Sequence, residues 1–66
     1  MREKLMQYAA EKKVIGVNFN AAAGGKLVST SGTIAEVGDD FMMMQDIYGN
    51  AMVIPFAAIA YIEVKR

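Results

Sequence analysis

The stretch GTIAEVGDDFMM, residues 32–43, predicts two β-strands joined by a tight turn. Gly38-Asp39-Asp40 has the composition of a turn, and the apolar run that follows it, 41–47, is typical of a strand. The preceding strand extends back to residue 26 through Thr, Ser, Val and Ile residues, which favour extended backbone. Gly32 lies inside it, where a glycine often marks a bulge or a sharp bend. We therefore expect a long strand that bends at Gly32, as at the corner of a small barrel.

Three further strands are predicted on either side of this pair, at 14–20, 51–54 and 59–64. In the first of them apolar and polar residues alternate, which predicts a buried face that carries Ile15, Val17 and Phe19. The second follows Tyr48-Gly49-Asn50, a hairpin signal, and ends at Pro55, because proline cannot donate a hydrogen bond to a sheet.

Residues 2–12 predict a short N-terminal helix, because most of them are strong helix formers. One narrow apolar stripe runs along this helix and consists of Leu5, Tyr8 and Ala9. A helix of about three turns is marginal alone, so we expect the stripe to pack on the strands.

The order of these elements predicts a single domain of residues 1–66, with the helix at about 2–12 and a barrel at about 13–64. Small residues at 21–25 predict a loop, and 56–58 predict a short turn of 3₁₀ helix. The fold class is mainly β: a short N-terminal helix followed by a five-stranded, strongly bent antiparallel small barrel, closed or nearly closed.

The composition favours an oligomer. The chain has 66 residues, of which 55% are hydrophobic and six are methionine, and a domain this small buries only about 60% of its unfolded surface. A disulfide, a metal or a partner subunit usually stabilises such small domains. The sequence has neither cysteine nor histidine, which leaves self-association as the means of stabilisation. Because the usual nucleophile–base pairs are missing too, we expect no enzyme, no catalytic residue, no metal site and no cofactor.

Targeting and charge give weaker indications of function. The sequence has no signal-peptide core and no apolar run long enough for a membrane span, so we expect a cytoplasmic protein without membrane contact. The net charge is zero, but basic residues gather at Lys12-Lys13 and Lys65-Arg66 while the middle of the chain is acidic. The basic ends are either a rim that holds phosphates or solvated termini, and the acidic middle disfavours a general phosphate-binding surface.

Two segments resemble the motifs of the Sm-like family, which includes the bacterial Hfq type. Residues 32–43 are similar to the first motif, Gly-x-Leu leading to Asp-x-Phe/Tyr-Met-Asn, and IPFAAIAYI at 54–62 is similar to the second, Ile-Arg-Gly-x-x-Ile-x-x-Ile. The short hairpin at 48–50 resembles the Hfq type. The resemblance covers residues 2–64 and implies an Sm-like fold whose fourth and fifth strands pair between subunits of a homo-oligomeric ring, with about five to seven subunits.

The resemblance also implies a site for single-stranded RNA, in which aromatic side chains stack on bases. The candidate nucleic-acid-binding residues are Asp39, Phe41, Met43, Phe56 and Ala57, with Lys12 and Lys13 as the basic rim. Several polar residues of the family are replaced here, since the motif Asn is Met43, the motif Arg-Gly is Pro55-Phe56, and the Lys and His of the Hfq type are absent.

Each candidate also has a structural interpretation. Phe41 is either a base-stacking residue or a packing residue, and Asp39-Asp40 is either a cation-binding pair or a solvated turn. Because Met42-Met43-Met44 makes both faces of its strand apolar, we expect one face to meet another subunit. The candidate interface residues are Met42, Met44, Met52, Ile54, Ile59, Tyr61 and Ile62. The predicted function is an RNA-binding ring, and the alternative is a protein-interaction or scaffold ring that does not bind RNA.

Overall fold

The computed structural model describes residues 1–20 and 25–65, and this part of the chain contains one helix, five strands and a 3₁₀ turn. The elements are α1 (Arg2–Ala10), β1 (Ile15–Asn20), β2 (Leu27–Val37), β3 (Phe41–Gln45), β4 (Ala51–Pro55), η1 (Phe56–Ala58) and β5 (Ile59–Val64). The predicted order, including the 3₁₀ turn before the last strand, is confirmed. The predicted loop at 21–25 lies, apart from Gly25, outside the described residues.

The strands form one antiparallel sheet in the order β4-β3-β2-β1-β5. β2 changes partner at Gly32, because Gly32 is opposite Ile15 of β1 and the pairing with β3 begins at Thr33. A Cβ atom on Gly32 would collide with the backbone carbonyl of Gln45, so the change of partner needs a glycine at this position. The register shift in β2 lies a few residues later, at Ala35, rather than at Gly32.

The sheet is strongly curled but does not close into the predicted barrel. β4 and β5 are its two edges, and in a flat sheet of five strands they would lie about 19 Å apart. They are joined only by η1, and a 3₁₀ turn of this length spans about 8 Å. The sheet must therefore curl until the end of β4 comes near the start of β5, although β4 pairs with β3 and β5 with β1 rather than with one another.

The core lies on the inner side of the curl, under α1. The predicted buried face of β1 is confirmed, and the helix stripe is confirmed as well, because Leu5 is fully buried and Tyr8 and Ala9 pack against the core. The core residues are Leu5, Ile15, Val17, Phe19, Ile34, Met42, Met44 and Ile54. The helix and β1 thus supply half of the core, and β2, β3 and β4 supply the other half.

Three predicted interface residues belong to this core instead. Met42, Met44 and Ile54 are almost completely inaccessible within one chain, because alternation along β3 and β4 turns them inward. Their side chains have no surface left for a neighbour, which corrects that part of the predicted interface. The face of β3 that points outward carries Phe41 and Met43, both half-buried.

Some predicted boundaries also change. β3 ends at Gln45 rather than at residue 47, because Asp46 starts the turn, and Pro55 belongs to β4 as the partner of Phe41. α1 ends at Ala10 rather than at Lys12.

The end of α1 is a left-handed cap with a lysine in the place that glycine prefers. Lys12 has a φ of 55°, and the N–H groups of Lys12 and Lys13 donate to the carbonyls of Ala9 and Tyr8, at 3.2 and 3.0 Å. This is the hydrogen-bond pattern of a Schellman motif, in which the residue with positive φ is usually glycine because it has no Cβ.

We expect Lys12→Gly to stabilise the fold by about 0.5–1 kcal/mol, because it removes the left-handed strain of a side chain that is exposed in any case. Urea unfolding followed by circular dichroism measures the effect. Lys12→Ala is the control, since alanine keeps the Cβ and should leave the midpoint nearly unchanged. Equal midpoints for all three proteins would contradict the assignment of strain to this position.

Candidate functional site

The backbone groups that β4 leaves unpaired can be deduced from the hydrogen bonds at the two ends of its pairing with β3. The Asp46 N–H donates to the Asn50 carbonyl at 3.0 Å, and the Phe56 N–H donates to the Asp40 carbonyl at 2.9 Å. In an antiparallel pair, the backbone N–H and C=O groups of one residue point to the partner strand, and those of the next residue point away from it. The two end bonds therefore fix which backbone groups of β4 are left over.

Counting inward from both ends, Met52 and Ile54 direct their backbone groups to β3, and Ala51, Val53 and Pro55 direct theirs to the free side. The missing N–H of Pro55 thus falls where no bond to β3 is needed, which explains how the strand includes a proline. Ala51 and Val53 carry the free N–H groups of this edge.

The free edge of β5 follows in the same way. The Lys65 N–H donates to the Val14 carbonyl at 2.9 Å, and the paired register continues from Val64 back to Tyr61. Alternation then turns the backbone groups of Ile62 and Val64 away from β1. Within residues 1–20 and 25–65, both edges of the sheet therefore present a short ladder of free backbone groups, in the form that pairs with another strand.

Apolar side chains accompany both free edges. Val53 is 56% exposed, and Met52, Tyr61 and Val64 are also exposed, although they are large and apolar. Ile59 and Ile62 are half-buried because they pack against the core. The predicted interface residues Met52, Ile59, Tyr61 and Ile62 thus lie on or beside the two edges, and Val53 and Val64 are additions that the sequence did not single out.

The two segments that resemble the Sm-like motifs come together at one place, which we call the loop junction and define as residues 38–41 and 55–57. The bond between Phe56 and Asp40 joins them, and Phe41 is opposite Pro55. The ring of Phe41 lies over Gly38, where a Cβ would collide with it, whereas Phe56 packs toward the core. Of the candidate nucleic-acid-binding residues, Asp39, Phe41, Phe56 and Ala57 belong to this junction, and Met43 lies two residues from Phe41 on the same face.

Carboxylates outnumber the basic groups seen in contact with the loop junction. Asp39 and Asp40 are exposed, and Arg2 approaches from α1. The Arg2 Nε donates to the Gly38 carbonyl at 3.0 Å and lies 3.8 Å from a carboxylate oxygen of Asp39. An exposed pair of this kind contributes little to stability, but it ties the start of the helix to the turn.

The candidate lysines of the basic rim lie elsewhere. Lys12 and Lys13 follow the end of α1, whereas Arg2 at its start is the residue that reaches the loop junction. Nine helical residues span about 13 Å, so the lysines are at the other end of the helix from the junction. The backbone N–H of Lys65 donates to the Val14 carbonyl, so Lys65 lies close to Lys13 in space, and Arg66 lies outside the described residues.

The turn between β3 and β4, residues 46–50, is a rigid projection that we call the hairpin tip. The Asp46 carboxylate accepts hydrogen bonds from the N–H groups of Tyr48 and Asn50, both at 2.9 Å, and from the Asn50 side-chain amide at 3.2 Å. Gly49, with a φ of 84°, closes the turn by donating to the Asp46 carbonyl at 3.1 Å. Ile47 and Tyr48 stand on this turn 85% and 83% exposed. An Asp two residues before Tyr48 is the sequence signal for such a turn.

We expect the stability conferred by Asp46 to depend on pH. The backbone N–H of Asn50 is the main group that holds the pKa of Asp46 below its ordinary value of 3.8, and desolvation is the main effect that opposes it. Because the pKa is lower in the folded state, this stabilisation is complete above the ordinary value and is lost as the pH falls through the folded-state pKa. Urea midpoints of the wild type and Asp46→Ala should therefore converge as the pH falls into this range. A difference that stays constant with pH would contradict this.

Two classes of site are not seen in the described part of the chain. No cluster of three or more His, Cys, Asp or Glu side chains is placed to hold a metal ion in residues 1–20 and 25–65. No helix in those residues has the length and apolar character that crossing a membrane requires.

No protein-family model matches this chain, and no curated protein matches it. The Sm-like assignment therefore stays a prediction, which depends on the motifs at 32–43 and 54–62.

Proposed function

We propose that this chain is the subunit of a homo-oligomeric ring that works as a protein-interaction scaffold, in the cytoplasmic setting that the sequence predicts and without enzyme activity. The observation that carries the proposal is the pair of free strand edges, each with unpaired backbone groups and exposed apolar side chains. Natural proteins usually protect such edges, and pairing β4 of one subunit with β5 of the next would cover both.

The free backbone groups fix the register of this pairing. In an antiparallel arrangement, Ala51 opposite Val64 of the next subunit brings Val53 opposite Ile62 and Pro55 opposite Ala60. This register joins the free groups of β4 to those of β5, while shifts by two residues leave some of them unpaired. Directly opposite residues share a face, so the exposed side chain of Val53 would lie beside Ile62, and Met52 would lie on the face that carries Tyr61.

The symmetry of the contact supports a ring. β4 and β5 are different surfaces, so a β4–β5 contact is heterologous, and each added subunit again offers one free edge of each kind. Such a series ends only by closing on itself. The curl of the sheet and the resemblance to the Sm-like family favour closure, with about five to seven subunits.

Amide hydrogen exchange on the assembled protein tests both the assembly and its register. We expect slow exchange at the amides of Ala51, Val53, Ile62 and Val64 in the oligomer and fast exchange on dilution to the monomer. The amides of Met52 and Ile54 bond to β3 inside one subunit, so they are the internal control and should be protected in both states. Sedimentation gives the mass, and a folded monomer at micromolar concentration would overturn the proposal.

Binding of single-stranded RNA at the loop junction is the second candidate function. It is favoured by the meeting of the two segments that resemble the Sm-like motifs, which the bond between Phe56 and Asp40 joins. The half-buried ring of Phe41 lies over Gly38, and the Arg2 side chain donates to the carbonyl of the same glycine. The exposed carboxylates of Asp39 and Asp40 oppose it, because they repel phosphates.

Fluorescence anisotropy with U-rich and A-rich oligonucleotides separates the two functions. If RNA binds at the junction, Phe41→Leu should weaken binding by removing the stacking surface, and Asp39→Asn should strengthen it by removing a repulsive charge. No salt-sensitive binding at tens of micromolar would leave the scaffold ring as the function. The same titration with Lys26→Ala is the control, because Lys26 lies directly before β2 rather than in the junction.

A further inference from the structure

We infer that the hairpin tip of one subunit docks into a cavity of the next subunit, between the C-terminal half of α1 and the end of β5. The inference rests on the proposed assembly and adds a second contact to it, made by side chains rather than by backbone edges. The partner is a second copy of this chain. Two observations lead to it, the tip and the cavity, and the strand polarity of the proposed register brings them together.

The tip has the properties of a preformed contact element. Ile47 and Tyr48 are large and apolar, yet they are held almost fully exposed by a turn with several hydrogen bonds. A flexible loop could fold such side chains back onto the subunit, whereas this turn keeps them out. Docking a rigid turn loses little conformational entropy, so exposed side chains of this kind are suited to a contact surface.

The cavity has matching chemistry. It measures about 630 Å³ and is lined by Gln7, Tyr8, Glu11, Lys13 and Val64. Tyr8 and Val64 supply apolar surface that an isoleucine side chain can cover. Gln7 donates to one carboxylate oxygen of Glu11 at 3.1 Å, which leaves Glu11 and Lys13 able to bond to the hydroxyl of a tyrosine.

The strand polarity brings the tip to this cavity. With Ala51 opposite Val64 of the next subunit, residues before Ala51 continue past the end of that subunit's β5. The hairpin tip is the segment directly before Ala51, and Val64 is both the last residue of β5 and part of the cavity wall. The edge contact and the tip contact are therefore continuous, and the same register produces both.

Cross-linking between two singly substituted chains tests this contact, and the absence of natural cysteine keeps the experiment clean. Ile47→Cys chains and Gln7→Cys chains are mixed, assembled and treated with a short bis-maleimide. We expect a cross-linked product that contains one chain of each kind. The control replaces Gln7→Cys with Ala57→Cys, an exposed position before the start of β5, and should give little product.

A loss-of-contact variant gives an independent readout. Tyr48→Ser leaves the subunit fold intact, because the ring is exposed there, and should weaken assembly by about 10-fold or more if the ring enters the cavity. Native mass spectrometry records the oligomer in every sample. An intact oligomer with no selective cross-link and unchanged affinity for Tyr48→Ser overturns the docking inference alone, whereas absence of any oligomer overturns the proposed assembly together with it.

Discussion

Gly32→Ala is expected to destabilise the fold strongly. A Cβ at this position would collide with the carbonyl of Gln45, which is backbone at the end of β3 and has no flexible side chain to move aside. Relief would require the two halves of the sheet to separate at the residue where β2 changes partner. Overpacking against backbone of this kind costs about 3 kcal/mol or more. A domain of this size has a total stability of roughly 3–10 kcal/mol, so such a loss removes about a third of it or more.

Gly16→Ala is the matched control for this prediction. Gly16 is also a buried glycine inside a strand, but the atom nearest to its added Cβ is the side-chain Cε of Lys65, at 3.2 Å. A lysine side chain can swing away, so this variant should remain folded with a midpoint close to that of the wild type. Circular dichroism and urea unfolding compare the two variants. Equal stability of Gly32→Ala and Gly16→Ala would show that the backbone at Gly32 adapts easily.

The sequence predicted the position of the bend but not the reason for it. A glycine in a run of Thr, Ser, Val and Ile indicates some local departure from a regular strand, whether a bulge, a bend or a close approach. Only the structure shows that Gln45 is the approaching group and that the register shift lies separately at Ala35. The partner of a close approach comes from a distant part of the chain, so local sequence patterns do not identify it.

Periodicity predicted the core where the pattern was unambiguous. The stripe on α1 and the apolar residues of β1 were identified correctly, but Asn18, a polar residue of the alternating pattern in β1, is buried as well. In Met42-Met43-Met44 every position is the same residue, so no pattern distinguished the inner face from the outer one. As a result two core methionines were assigned to the interface. The exposed Val53 of β4 was overlooked for a different reason. Its importance depends on the direction of its backbone groups, which follows from the hydrogen bonds at the ends of β4.

The candidate RNA site was predicted in part. Residues 39–41 and 56–57 do meet, because both segments border the β3–β4 pair, which the hairpin signal at 48–50 already implied. The lysines were added on charge alone, and the length of α1 separates them from the junction. Charge gives no information about distance. The candidates at 39–41 and 56–57 therefore lie together, whereas Lys12 and Lys13 lie apart from them.

Val53→Lys is expected to convert the proposed oligomer to a folded monomer. In the proposed register, Val53 lies opposite Ile62 of the next subunit, so a lysine there would remove an apolar contact and bring a charge into a closed interface. The dissociation constant should rise by about 100-fold or more. Sedimentation velocity over a micromolar concentration series measures it. Substituting Ile59 or Ile62 would be less informative, because both pack against the core and an acidic residue there would unfold the subunit itself.

Leu27→Lys is the control that separates an edge effect from a loss of exposed apolar surface. Leu27 is 51% exposed, close to the value for Val53, but it lies on β2, where it pairs with Asn20 of β1, and not on β4 or β5. The same change of charge there should leave the oligomer intact. If both variants dissociate, general charge repulsion rather than the β4 edge governs assembly, and if neither does, the β4–β5 contact is not the interface. Dissociation of Val53→Lys alone would locate the interface at the edge whose free N–H groups belong to Ala51 and Val53.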